Sequence, residues 1–181
     1  MTDAELMAEE RLATRWASYD YSSAGAYFVT ICVKGRKPVF GTVSDGQMVR
    51  SEAGEIASRC LLEIPKHFPG VTVDANVVMP DHVHVIMAID DLENGVEQAL
   101  EQRGLETDLQ RARPLEALPL AIGSYKSSVS RLVRATGDVA FQWQKSYHDR
   151  IIRDWAAYDN IRAYIANNPR RWWESTRGIQ P

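Results

Sequence analysis

"VTVDANVVMPDHVHVIMAID", Val71 to Asp90, is the stretch that decides the fold. Two runs rich in valine and isoleucine flank Pro80-Asp81, a turn signal, so they read as neighbouring strands paired antiparallel. Side chains alternate across a strand. Val83, Val85, Met87 and Ile89 therefore face one way, and His82, His84, Ile86 and Ala88 the other. Two imidazoles thus share a strand face, where they can reach one divalent cation. Two rings do not complete a metal site, and taken alone the pair also reads as partly exposed polar side chains at a strand start.

Upstream, "AYFVTICVK" (Ala26 to Lys34) is a strand by its alternation and its β-branched and aromatic content. Asp45-Gly46 suggests a small hairpin. Ser51 can cap a following helix in which Ile56, Cys60 and Ile64 recur at helical spacing beside Leu61, and which stops near Pro65 to Gly70. Downstream, residues 90 to about 116 turn charged and read as an inserted, mobile loop outside the catalytic core. A helix is expected from about Ser124 to Ala135, then strand-like "FQWQKSYHDRIIRD". A last helix, capped by Asp154, is expected to end near Asn168 because Pro169 disfavours helical geometry before it. This order predicts an α+β fold: a ferredoxin-like antiparallel sheet, helices packed on one face, and a C-terminal helix.

Composition agrees with one compact domain over residues 1–181: 45% hydrophobic residues, five Trp and seven Tyr argue for a folded chain. No apolar run approaches membrane-spanning length and the N-terminal stretch lacks the pattern of a signal peptide, so a cytoplasmic location is expected. Cys32 and Cys60 match no zinc spacing and read as small buried side chains. His67 has no nearby partner. The net charge of −3 counts against nucleic-acid binding, but charge is segregated: residues 111–181 carry a net +6 and residues 1–110 a net −9. Such a chain can present a basic face to a polyanion.

The last helix carries a candidate nucleophile and a further metal ligand. Tyr164 and Asn168, four apart, lie one turn from each other on one face. A phenol is a poor nucleophile at neutral pH, but a nearby cation favours its phenolate or makes a phosphate easier to attack. Tyr164 also reads as the border of a packing stripe formed by Tyr158, Ile161 and Ile165.

Four blocks, "YDYSSAGAYFVTICVKGRKPVFG", "VMPDHVHVIM", "FQWQKSYHDRIIRD" and "YIANNPRRW", resemble in order and spacing the REP-associated tyrosine transposases, within the HUH (His-hydrophobic-His) single-tyrosine transposases. The likeness covers nearly all of residues 15–173 outside the charged insertion. It implies a ferredoxin-like catalytic fold, Mg²⁺ or Mn²⁺ held by His82, His84 and Asn168, and attack by Tyr164 on a DNA phosphate. The implied activity is cleavage and rejoining of single-stranded or hairpin DNA through a 5′-phosphotyrosine, by a monomer or homodimer with no membrane partner. For DNA binding, Lys126, Arg131 and Arg134 are candidate phosphate contacts, Trp143 and Tyr147 candidate stacking rings, and Arg170 and Arg171 candidate guides beyond the nucleophile. Each has a plainer reading: solvated helix charges, a core Trp143, a capped helix end. A non-catalytic nucleic-acid-binding regulatory module of the same fold and a phosphoesterase using water as nucleophile are the competing functions.

Overall fold

The computed structural model describes residues 25–89 and 117–177; the insertion expected at 90–116 lies outside them. Four strands, β1 (Gly25–Cys32), β4 (Val71–Val78), β5 (His82–Ile89) and β6 (His148–Ile152), form a sheet in the order β4-β5-β1-β6. Every neighbouring pair is antiparallel. This is the ferredoxin-like arrangement, in which the two strands of the opening stretch lie side by side and β1 inserts next to β5. A separate hairpin pairs β2 (Gly41–Ser44) with β3 (Gln47–Arg50). Its turn places Asp45 at φ 50° and Gly46 at φ 72°, the doubly left-handed turn that an Asp-Gly pair favours.

Alternation along β1 and β5 sends one set of side chains into the main core. Tyr27, Val29, Ile31, Val83, Val85 and Met87 are all fully buried there. They meet Ile56, Ala57 and Leu61 of helix α1 (Glu52–Leu62) and Leu118, Ala121, Ile122, Tyr125, Val129 and Val133 of helix α3 (Ala117–Ala135). Ser51 caps α1 as expected, accepting from the Gly54 amide at 3.1 Å. Gly54 is there for want of room: a Cβ would lie 2.1 Å from the Phe40 carbonyl oxygen. A short helical turn, α2 (Ile64–His67), follows. Helix α3 begins before the expected Ser124, because Leu118, Ala121 and Ile122 extend its apolar stripe and Pro119 sits in the first turn, where no amide donor is needed.

The other face receives helix α4 (Trp155–Arg177), whose Ile161 and Ile165 pack on Phe28 and Ile86. Asp154 caps it, accepting from the Ala157 amide at 2.7 Å. The end expected at Asn168 is not observed: the helix runs through Pro169 to Arg177. An internal proline removes one hydrogen bond and costs about 3 kcal/mol in isolation. Tertiary contacts offset it here, for α4 touches both β2 and β3, with Gly46 against Arg170. Among the described residues no helix is long and apolar enough to cross a membrane.

Candidate active site

His82 and His84 open β5 on the α4 side, and both are buried, at 5% and 3% exposure. A buried imidazole needs partners on both nitrogens. The two Nε2 atoms face each other at 3.0 Å. The outer nitrogens are each held: His82 Nδ1 lies 2.5 Å from Asp81 Oδ1, and His84 Nδ1 lies 2.8 Å from Thr30 Oγ1. Thr30 is directly opposite His84 across the β1–β5 ladder. Asp81 in turn accepts from Arg36, whose Nε is 2.9 Å from Oδ2. Burial, reinforced by the neighbouring His82 and Arg36 charges, holds His84 well below the usual imidazole range. Its ring is therefore neutral at neutral pH, the form that ligates a metal.

Helix α4 brings the phenol to this pair. The Tyr164 hydroxyl lies 3.4 Å from His84 Nε2, and its ring meets His84 and Phe28 edge-on, with centroids 5.4 and 6.0 Å apart. The Arg171 guanidinium lies 5.2 Å from the centre of the Tyr164 ring. Two turns beyond Tyr164, Trp172 packs on His82, with centroids 6.0 Å apart. Asn168 lies between them on the same helix face and is 4% exposed. One row of α4 thus spans the histidine pair, with a carboxamide at its middle.

These residues fit a divalent cation. Nitrogens 3.0 Å apart have the separation of two adjacent ligands of an octahedral ion at metal–nitrogen distances of about 2.1 Å. Among the described residues no three His, Cys, Asp or Glu gather as a metal site. Asn168, buried on the helix face that spans the pair, carries an amide oxygen, the hard donor type that suits Mg²⁺ or Mn²⁺.

The remaining candidates divide between two places. Arg170 and Arg171 lie on α4, Arg170 paired with Glu174 at 2.9 Å. Lys126, Arg131, Arg134 and Tyr147 line an open groove of about 840 Å³ beside α3, in the helical layer across the sheet from the histidines. Two of these cations also brace the loop before β6: Lys126 Nζ donates to the Gln144 carbonyl at 2.8 Å, and Arg134 Nη2 to that of Phe141 at 2.9 Å. Trp143 matches its plainer reading, buried among Phe40, Tyr125 and Phe141 with its indole N–H donated to the Lys126 carbonyl. Thr30, Asp81 and Arg36 escaped the sequence reading. Thr30 was legible in principle as the polar residue on the histidine-facing side of β1, whereas Asp81 was read only as a turn former.

The four-stranded antiparallel sheet with helices on both faces is the fold of a solved REP-associated tyrosine transposase. The chain matches a solved structure of one such transposase bound to a REP hairpin over 93% of its own length and 89% of that chain, at 17% identity and a TM-score of 0.55. It belongs to the same family as a Haemophilus influenzae protein named only as uncharacterized, 34% identical over 167 residues, which cover 90% of this chain and 89% of that one. No family model matches the sequence.

Proposed function

We propose that the protein is a metal-dependent tyrosine transposase that cleaves and rejoins single-stranded or hairpin DNA. The observation that carries this reading is the convergence of a phenol and two imidazoles from segments 80 residues apart, with the Tyr164 hydroxyl 3.4 Å from His84 Nε2. His82, His84 and Asn168 are the metal-holding set. A bound Mg²⁺ or Mn²⁺ supplies Lewis-acid polarisation of the scissile phosphate. Tyr164 attacks the phosphorus in line, its oxygen replaces the 3′ oxygen of the leaving strand, and the 5′ end stays on the protein as a phosphotyrosine. One P–O bond forms as another breaks, so a 3′-hydroxyl can later reverse the step without ATP. The fold shared with a hairpin-bound transposase supports a hairpin substrate. The basic groove beside α3 is suited to a phosphate backbone held apart from the reacting centre, and Arg170 and Arg171 to the strand near the nucleophile.

The deciding experiment incubates hairpin-bearing single strands with Mn²⁺ and looks for denaturant-resistant protein–DNA adducts, with Tyr164→Phe as control. Adducts formed by the parent and lost in the variant are the expected result. Binding without cleavage would point to a regulatory module, and cleavage without an adduct to water as the nucleophile.

A further inference from the structure

The two histidines have unlike outer partners, and that difference assigns a role to a residue outside the ligand set. We propose that Asp81, anchored by Arg36, is a positioning residue that keeps the His82 proton on Nδ1 and so leaves Nε2 open toward His84. The inference concerns the chain's own hydrogen bonds; its consequence for metal rests on the function proposed above.

An ionised carboxylate only accepts and a guanidinium only donates. With Arg36 Nε on Oδ2 at 2.9 Å and His82 Nδ1 on Oδ1 at 2.5 Å, Asp81 requires a proton on the ring nitrogen facing it. Arg36 is committed to this place. Its backbone stands at φ 53°, a left-handed conformation uncommon outside glycine, and its Nη1 also donates to Cys32 Sγ at 2.9 Å. Cys32 is the residue directly opposite His82 on β1. Thr30 differs, because a hydroxyl both donates and accepts. It can serve His84 in either tautomer. Without a cation, His84 donates from Nε2 to the His82 lone pair and takes a hydrogen bond from Thr30. To ligate, it moves that proton to Nδ1 and Thr30 becomes the acceptor. The pair thus has one fixed ring and one adjustable ring.

Asp81→Asn tests this, because the amide offers one oxygen and one NH₂. Arg36 needs the oxygen, so the NH₂ must face His82 Nδ1 and drive the ring proton onto Nε2, where it blocks ligation. Nitrogen-15 NMR of the metal-free protein should show His82 Nδ1 protonated in the parent and unprotonated in Asp81→Asn. Mn²⁺ affinity, measured by titration, should fall about ten- to a hundredfold. Adding Arg36→Gly to Asp81→Asn frees the amide to turn over; Nδ1–H should return and part of the affinity with it, while glycine suits the left-handed backbone. A purely structural role for Asp81 predicts no such rescue. An unprotonated Nδ1 in the parent overturns the proposal without any variant, as does Asp81→Asn with the parent's tautomer or the parent's Mn²⁺ affinity. A parent that binds no Mn²⁺ overturns the metal reading instead and leaves the tautomer result to decide this one.

Discussion

The two faces of β1 and β5 are built from the same sixteen residues and do opposite work. On one face Tyr27, Val29, Ile31, Val83, Val85 and Met87 pack between the sheet and helices α1 and α3. On the other, Thr30, His82 and His84 are nearly as deeply buried, yet each is polar and hydrogen-bonded to a neighbour. Burial on the first face stabilises the fold through the apolar area removed from water. On the second it excludes water, keeps His84 neutral and strengthens every polar contact among the rings. Strand alternation alone keeps these environments apart, so substitutions on the two faces should separate stability from chemistry.

The sharpest break between them is expected from Tyr164→Phe. It deletes one part-buried hydroxyl, 3.4 Å from His84 Nε2, and the loss of a single hydrogen-bonding hydroxyl should shift urea unfolding by about 1 kcal/mol. Adduct formation should vanish altogether if Tyr164 supplies the attacking oxygen, as proposed. A variant that still forms the adduct would move the nucleophile elsewhere. Met87→Ala, on the opposite face, should do the reverse. Its side chain is fully buried in the main core, and truncation should cost about 2–5 kcal/mol of unfolding free energy. At a temperature where it remains folded, its adduct yield should match the parent's; a loss comparable to that of Tyr164→Phe would mean the faces are not independent.

A smaller effect distinguishes the faces by pH. Burial holds His84 well below its usual range in the folded protein, whereas the unfolded chain takes up a proton near pH 6.5. Below that pH the unfolded state binds the extra proton, so the stability present above it is lost as pH falls toward the folded-state value. Chelator-treated protein should therefore lose on the order of 1 kcal/mol between pH 7.5 and 5.5, one proton's worth over this window. His84→Asn should remove that part of the slope. An unchanged slope in the variant would show that His84 does not titrate as its burial requires.

Legibility followed the same division. The apolar face could be read because valine, isoleucine and methionine recur every second residue and nothing else explains them, and Ser51 and Asp154 marked helix starts by local hydrogen bonding. Local rules failed where long-range contacts decided. Pro169 announced a helix end that contacts with the β2–β3 hairpin override, and α3 starts before Ser124 because its apolar stripe reaches back to Leu118. At the site, the histidines, Tyr164 and Asn168 were named from spacing and resemblance. Their partners were not, because Thr30 meets His84 only through the cross-strand register and Arg36 reaches Asp81 only through a left-handed turn.

The smallest expected effect lies on neither face. Trp155 opens α4 at 80% exposure and touches Tyr158 edge-on, with centroids 5.6 Å apart. It precedes Tyr164 by nine residues, which at 100° per residue sets the two on opposite sides of the helix. Trp155→Ala should therefore leave stability within about 0.5 kcal/mol of the parent and adduct yield at saturating DNA unchanged. An exposed indole is also a surface on which a base can stack, so affinity for single strands is the informative measurement. Unchanged affinity confines recognition to the site face and the basic groove. Weaker binding with undiminished chemistry on the bound strand would extend the path of the DNA around the outer side of α4.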